Sequence, residues 1–286
     1  MRSFIKRNIL LYVRDKVAVF FSLFAVLILI ALYVVFLNDL IAEVIPDLPD
    51  KNALLMTWFI AGIIAVTTMT TTLGAFGTFV EDRANQTILD FYVSPISKAK
   101  IVIGYICSAL FVGGCMSFIT FVIAYGYLLI FGNISLTLLQ IFLMTGTIFL
   151  SVLASASIVL FLVSFFHTSN AFAAASMVIG TLIGFLAGIY IPIGNFPEYL
   201  QTIIKLFPIS HAASLFRQIL MEETIISAFT NAPADVIDTF QYNMGIRYVF
   251  NGKTLANFMS IGYLVITTIV FTILSLLNMR RIQKKK

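Results

Sequence analysis

Residues 53–100 decide the fold; they read ALLMTWFIAGIIAVTTMTTTLGAFGTFV (53–80) followed by EDRANQTILDFYVSPISKAK (81–100). The first part holds 28 residues without Asp, Glu, Lys or Arg, more than the roughly 20 needed to cross a bilayer core. The second part holds six charged residues and places Ser94-Pro95 shortly before the next apolar run. This pattern predicts a membrane-spanning helix that ends in a polar segment outside the lipid.

Uncharged runs of similar length recur along the whole chain. The chain is 60% hydrophobic and only 11% charged, whereas soluble domains carry about 25% charged residues. Because backbone polar groups in lipid must bond within their own segment, runs of this length form helices. We therefore predict an all-α integral membrane protein whose 286 residues form a single transmembrane domain with six spans. The predicted spans are 17–37, 53–80, 101–131, 134–166, 171–193 and 255–279.

Basic residues set the predicted orientation. Cytoplasmic loops of membrane proteins are enriched in Lys and Arg. With both termini inside, the cytoplasmic pieces hold 13 of the 18 Lys and Arg residues, so the net charge of +5 indicates membrane topology and no nucleic acid partner. These cytoplasmic pieces are 1–16, 81–100, 167–170 and 280–286.

Acidic residues follow the opposite distribution. Asp39, Glu43, Asp47 and Asp50 cluster in the first predicted outer loop, 38–52. The two distributions together predict cytoplasmic termini and a multi-pass protein, and we expect it in the plasma membrane of a bacterium.

Residues 1–16, MRSFIKRNILLYVRDK, combine basic side chains with apolar ones at helical spacing. Ile5, Ile9 and Tyr12 fall on one side of a helix. This pattern predicts an interfacial helix that lies on the lipids of the inner leaflet before the first span. A flexible basic tail is the alternative.

The long outer segment, 194–254, is predicted to be more than a loop. Its part NFPEYLQTIIKLFPISHAASLFRQIL (195–220) has two apolar stretches separated by Phe207-Pro208, each too short to span a bilayer. We expect short re-entrant or interfacial helices there. Residues 221–252 are more polar and are expected to form a small external cap.

The chain lacks the usual signs of catalysis or ion coupling. No predicted span contains an acidic or basic residue, and the two histidines, His167 and His211, fall at predicted ends or loops. Ion-coupled transporters usually need ionisable groups within the membrane, although sodium coupling through backbone carbonyls remains open. Cys107 and Cys115 lie in an apolar run and indicate neither a disulfide nor a metal site. We predict a protein that is not an enzyme, with no catalytic residue, metal or cofactor of its own.

A phosphate-binding loop is also missing from the sequence. The stretch NGKT (251–254) has the right ending, but Arg247 occupies the position of the first glycine. If the protein performs work, another chain must supply the energy.

Small and hydroxyl-bearing residues within the spans have two readings. Thr67 and Thr71 lie in the second span, and Gly180, Gly184 and Gly188 follow each other at four-residue spacing in the fifth. Such faces allow helix backbones to approach closely in lipid. They indicate either ordinary packing inside the bundle, or a dimer seam or weakly polar lining of a substrate path.

Between spans two and three the chain has an acidic-basic start, a Thr-x-Leu core and a Ser-Pro end: Glu81-Asp82-Arg83, Thr87-Ile88-Leu89 and Ser94-Pro95-Ile96. Before the last span it has a Pro, a small residue and an Arg, at Pro208, Ala212 and Arg217. In the order of these motifs the chain resembles the membrane-spanning permeases of type-2 ATP-binding-cassette exporters, and the resemblance covers essentially the whole chain. One departure is Asn85-Gln86, where relatives often have a glycine before the threonine.

The resemblance implies a coupling helix in 81–100 that docks in a groove of a separate ATPase subunit. Two copies of that ATPase would bind ATP and Mg²⁺, and the chain would pair with a second permease half, itself or a relative. The loop 167–170 is expected near the same partner. The residues expected to bind the ATPase are Glu81, Asp82, Arg83, Thr87, Leu89, Phe91, Tyr92, Ser94 and Pro95, and those expected in the outer re-entrant segment are Pro208, His211 and Arg217.

Two function classes follow from these observations. The first is the permease subunit of an ATP-driven exporter for an amphipathic, lipid-like, drug or peptide substrate. The second is a membrane sensor or assembly component that binds partners and transports nothing; a secondary transporter ranks third because the spans are uncharged.

Overall fold

A computed structural model describes residues 1–37, 49–230, 232–250 and 253–284 of the chain. These ranges are helical except for connecting turns and one short antiparallel ladder, β1 (Val249–Phe250) with β2 (Lys253–Thr254), in which Val249 pairs with Thr254. In chain order the helices are α1 (Arg2–Arg14), α2 (Lys16–Leu32, continued by a π-helical turn, Tyr33–Leu37), α3 (Lys51–Ala75), α4 (Gly77–Ala84), α5 (Thr87–Val93), α6 (Lys98–Gly132), α7 (Leu138–Val163), α8 (Ser169–Leu186), a 3₁₀ turn (Ile193–Asn195), α9 (Glu198–Leu206), α10 (Pro208–Leu220), α11 (Glu222–Ala228), α12 (Ala234–Asn243) and α13 (Asn257–Lys284).

The prediction of an all-α protein with six spans is confirmed. Six helices within the described ranges are long and apolar enough to cross a membrane. Three residues of the predicted acidic cluster in the first outer loop, Asp39, Glu43 and Asp47, lie outside the described residues. The six spans are Lys16–Val35, Lys51–Ala84, Lys100–Gly132, Leu138–Val163, Ser169–Leu186 and Asn257–Asn278.

The second span, α3 and α4 together, is the centre of the bundle. In its most apolar window 83% of the residues are buried, against 11% in the first span and 11% in the fifth. It packs against α6, α7 and α10. The first and fifth spans lie at the edge of the bundle, where few of their side chains are buried.

Hydroxyl side chains allow the central helices to approach closely. Thr67 and Thr71 are buried, and each donates a hydrogen bond to a carbonyl of its own helix, at 2.8 and 2.7 Å. The Thr68 and Ser151 hydroxyls join α3 to α7 at 2.7 Å. Hydrogen bonds within or between helices remove the cost of placing hydroxyls in lipid, so this packing needs no charged residue.

The turn between the third and fourth spans shows why the fourth helix starts later than predicted. Asn133 ends α6 in a left-handed conformation (φ 50°), and α7 begins at Leu138 instead of residue 134. Thr137 caps α7 by accepting a hydrogen bond from the Gln140 amide, while Gln140 accepts one from the Thr137 amide. This reciprocal cap satisfies backbone groups that the helix itself leaves unpaired.

Helix α10 is the most deeply buried part of the outer segment. Helices α9 and α10 meet at Phe207-Pro208, where Pro208 occupies the first turn of α10. Eleven of the 13 residues of α10 are buried, and the helix packs against α3, α7 and α13. Within the described residues of 221–250, α11, α12 and β1 follow it along the chain. That these helices re-enter the membrane stays a prediction.

Candidate functional site

The polar segment that ends the second span and continues beyond it forms two short helices joined by a tight turn. Helix α4 ends at Ala84, and α5 begins at Thr87 after Gln86, whose φ of 62° is left-handed. Glycine adopts this conformation at the least cost, and the sequence places none here. Helix α5 ends at Val93, and the backbone of the next residue, Ser94, is extended because the following proline disfavours helical geometry.

The Asp82 carboxylate binds this segment to two other helices. It is buried and accepts hydrogen bonds from both terminal nitrogens of Arg7, at 2.6 and 2.8 Å, and from the Tyr105 hydroxyl at 2.6 Å. Two parallel bonds from one guanidinium give a strong, directional pair, and the hydrogen bond to Asp82 raises the pKa of Arg7. Asp82 therefore joins α4 to α1 and α6.

Arg83 connects the same segment to the end of the fourth span. Its Nη1 donates to the backbone oxygens of Ser164, at 2.9 Å, and Phe166, at 3.1 Å. Its Nη2 lies 2.8 Å from Nε2 of His167. Because a guanidinium can only donate, Nε2 accepts, and the Nδ1 proton is free to bond the Phe165 oxygen at 3.0 Å. The regions 81–100 and 167–170, which were predicted to face the same partner, are thus adjacent.

Helix α5 has one face against the protein and one face exposed. Ile88 is buried, and the Phe91 ring packs edge-on against Phe4, with 5.0 Å between ring centroids. Leu89 is 47% exposed and Val93 is 88% exposed; with the exposed Asp90 they form what we call the docking face. Leu89 and Phe91 were both predicted to bind the partner. Leu89 lies on the docking face, whereas Phe91 lies on the inner face of the helix.

The remaining residues of the predicted coupling set take different positions. Glu81 and Pro95 are exposed, Thr87 is half-buried, and the Ser94 hydroxyl donates to the Phe91 oxygen at 2.6 Å. The side chain of Tyr92 lies outside the described parts of the chain.

Sequence reasoning did not identify the residues that hold this segment in place. Phe4 and Arg7 belong to a helix whose basic residues the sequence explains by membrane topology alone, and Tyr105 stands in an apolar run. The Arg7 guanidinium also lies 5.2 Å from the centroid of the Phe91 ring. The one available signal in the sequence is that basic residues precede the first span and that Asp82 stands at the end of the second. This signal does not say which of the basic residues pairs with Asp82.

A groove separates the second span from the fifth on the same end of the bundle. Its volume is about 520 Å³, and Glu81 lies in its lining. Thr70, Leu73, Gly74 and Gly77 line one wall, and Ser169, Asn170, Phe172, Ala173, Ser176 and Gly180 line the other.

The glycines of the fifth span do not form one continuous face. A side chain added at Gly180 would meet open space, whereas Gly184 lies against the ring of Tyr190. Helix α8 ends at Leu186, seven residues before the predicted end, because Gly188 adopts a φ of 64°. The amides of Gly188 and Ile189 then bond back to the carbonyls of Phe185 and Gly184, which is a Schellman motif. Only Gly180 faces the groove.

Arg217 holds the outer end of the bundle together. It is buried, and its Nη2 donates to the carbonyl oxygens of Ala187, at 2.9 Å, and Gly188, at 2.8 Å. The guanidinium also lies 4.7 Å from the centroid of the Trp58 ring. Burial lowers the pKa of Arg217 to about 10, so it stays charged at neutral pH and complements the negative end of α8.

His211, six residues earlier in α10, is also buried. Its Nε2 lies 2.8 Å from the Lys205 oxygen, so it carries the proton, and Nδ1 lies 3.2 Å from the Ser260 hydroxyl. Burial lowers the pKa of His211, which favours the neutral ring. His211 thus links α9, α10 and α13, and with Pro208 and Arg217 it belongs to the packing of the outer segment.

Comparison with known proteins connects this arrangement to one family. A family model described as ABC-2 family transporter protein matches residues 49–277. That range contains the second to sixth spans, the docking face and the outer segment, and α1 precedes it. No curated protein matches the chain.

The Arg7–Asp82 pair generates the first prediction. Replacing Arg7 with Gln should speed amide hydrogen exchange across 87–94, because the buried Asp82 loses two charge-assisted bonds worth about 2 kcal/mol together. Hydrogen exchange with peptide-level resolution on the purified chain measures this. Arg14→Gln removes an exposed charge from the same helix and should leave exchange in 87–94 unchanged; equal exchange in both variants would contradict the assignment.

Gly188 gives a prediction with a control in the helix that precedes it. Gly188→Ala should destabilise the folded chain by about 1–2 kcal/mol, because alanine is strained at positive φ, and nothing crowds the new methyl closer than 3.6 Å. Gly180→Ala meets open space at ordinary helical geometry and should be neutral or slightly stabilising. Thermal unfolding in detergent measures both, and equal melting temperatures would rule out the strain argument.

Arg217 is predicted to require its planar guanidinium. Arg217→Lys keeps the charge but cannot reach both carbonyls while stacking on Trp58, so we expect a loss of about 2 kcal/mol. Thermal unfolding and hydrogen exchange at 187–189 measure the effect. The matched control is Arg247→Lys at an exposed position; if Arg217→Lys is as stable as this control, the carbonyl bonds are not what holds the outer end.

Proposed function

The chain belongs to the ABC-2 transporter family, and from this membership we propose that it forms one half of an export pathway powered by a separate ATPase. Membership makes it a multi-pass permease component of an ABC exporter, and such permeases generally pair with an ATP-binding-cassette ATPase. In our proposal two copies of this ATPase bind ATP and Mg²⁺. A second permease half, the same chain or a related one, completes the pathway.

The observation that carries the proposal is the exposed docking face on an anchored helix. Leu89 and Val93 present apolar surface beside the acidic Asp90, while Ile88 and Phe91 fix the opposite side of α5. Exposed apolar side chains grouped with a charge on a rigid element are typical of a protein interface. The docking face is where the ATPase binds.

The contacts behind the docking face explain how a movement of the ATPase reaches the membrane helices. Asp82 joins α4 to Arg7 of α1 and Tyr105 of α6, and Arg83 binds the backbone at the end of α7. A displacement of α5 therefore acts on three elements through directional bonds. Packed helices transmit such displacements because they have discrete arrangements and deform little.

The orientation follows from the docking face and the basic residues. The end of the bundle that carries α1, α5 and the 164–168 turn faces the cytoplasm, where ATP is available. The outer segment with Arg217 faces the other side. The membrane is the plasma membrane in this proposal, and the export direction is from the docking face towards the outer segment.

The groove between the second and fifth spans is the proposed start of the substrate path. Its walls combine hydroxyl and amide groups with the Phe172 ring, and Glu81 stands at its cytoplasmic side. Beyond the groove, α8 exposes large apolar side chains such as Met177 and Val178, which favours contact with a second permease half. An amphipathic substrate, whether lipid-like, drug or peptide, fits this mixture.

Removing the docking face tests the proposal. The double variant Leu89→Ala, Val93→Ala should weaken binding of the chain to the ATPase encoded beside it by roughly tenfold or more, because exposed anchors at an interface centre often contribute over 1 kcal/mol each. Copurification and transport-linked ATP turnover measure the loss.

The matched control lies at the opposite end of the bundle. Leu138 and Leu139 are 86% and 66% exposed, and their replacement by Ala should leave the association unchanged. If the docking-face variant binds the ATPase as the unaltered chain does, α5 is not the contact. If the chain copurifies with no protein that carries a phosphate-binding loop, the sensor or assembly function replaces the exporter.

A further inference from the structure

A second groove lies between the first helix and the third span. Its volume is about 560 Å³, and its lining comes from residues 1–10 and from Phe111 of α6. Arg2 and Lys6 stand on one rim, and Ile5, Ile9, Leu10 and Phe111 provide apolar walls. The groove is separate from the docking face and from the groove beside the fifth span.

The two basic residues at this rim have no counter-charge among the residues that the structure describes. Arg2 and Lys6 are exposed, and in the described part of the chain neither makes an ion pair or a side-chain hydrogen bond. Arg7, on the opposite side of the same helix, is bound to Asp82 at 2.6 Å. The rim thus presents two cations, one helical turn apart, that are available to an anion.

The apolar end of the groove continues into surface that faces lipid. Phe111 follows Lys100 by eleven residues, which is about 16 Å along the helix axis. Ile103, Phe111 and Phe118 are all exposed, and their spacing of seven and eight residues places them on one face of α6. A ligand in this groove therefore passes from a charged rim into hydrocarbon.

From this juxtaposition we infer that the groove between α1 and α6 binds one anionic phospholipid of the inner leaflet. The phosphate lies between Arg2 and Lys6, and an acyl chain runs along Ile5 and Ile9 to Phe111. A soluble anion would leave the apolar walls in contact with water, and the cationic group of a zwitterionic headgroup would be repelled by Arg2 and Lys6. The combination of both features selects a lipid with net negative charge.

The position of the site gives the lipid a consequence for the rest of the molecule. Helix α1 carries the lipid groove on one side, and Phe4 and Arg7 contact Phe91 and Asp82 on the other. A bound lipid holds α1 against α6, and α1 in turn supports α5. The lipid therefore stabilises α1, which supports the docking face, without contacting the docking face itself.

Photo-crosslinking with a defined lipid tests the site. The full chain is reconstituted alone in vesicles of phosphatidylcholine and phosphatidylglycerol that contain a photoactivatable phosphatidylglycerol, and labelled peptides are mapped by mass spectrometry. We expect labelling in 1–10 and around Phe111. In Arg2→Gln, Lys6→Gln this labelling should fall roughly tenfold, because two basic contacts to an anionic headgroup are lost.

Two matched variants separate a site from diffuse attraction. Arg14→Gln, Lys16→Gln removes the same charge from exposed positions outside the groove and should keep the labelling, and the charge-preserving exchange Arg2→Lys, Lys6→Arg should also keep it. Equal losses in both Gln variants would overturn the site in favour of general surface attraction. Labelling by a photoactivatable phosphatidylcholine at the same strength, or labelling confined to other spans, would overturn it as well.

Discussion

The buried Asp82 carboxylate is the interaction on which the arrangement of the inner end depends. A carboxylate removed from water is stable only when its oxygens are bonded, and Arg7 and Tyr105 supply three bonds to it. These bonds fix α1 beside α4 and α6. Phe4 of α1 then lies where it can pack against Phe91, and that contact sets which side of α5 remains exposed. The docking face thus follows from one ion pair.

The outer end is held by a cation instead of a carboxylate. Arg217 is surrounded by backbone carbonyls and the Trp58 ring, so α10 joins the end of the fifth span to the centre of the bundle. Between the two ends the spans contain hydroxyl bonds such as Thr68 to Ser151, and these are weak in membranes, typically about 0.6 kcal/mol. Strong polar contacts are therefore concentrated where the helices end.

The spans and the position of the polar segment could be predicted from the sequence, because run length and the distribution of basic residues act locally. Long-range pairing could not: Arg7 and Asp82 stand 75 residues apart, and several basic residues of 1–16 were equal candidates. The exposed side of α5 depends on Phe4, a residue with no distinguishing signal. The glycine pattern of the fifth span predicts one face, yet the helix ends before Gly188, because positive φ at that residue serves the turn instead of helix packing.

The central claim, that α5 transmits the force of a separate ATPase, is tested most directly by hydrogen exchange of the permease with and without that ATPase. The account predicts that binding protects amides in 86–94, and secondarily in the 164–170 turn bound by Arg83, while the outer segment is unchanged. Protection confined to the outer segment or to the ends of other helices, with 86–94 exchanging as in the permease alone, would contradict it.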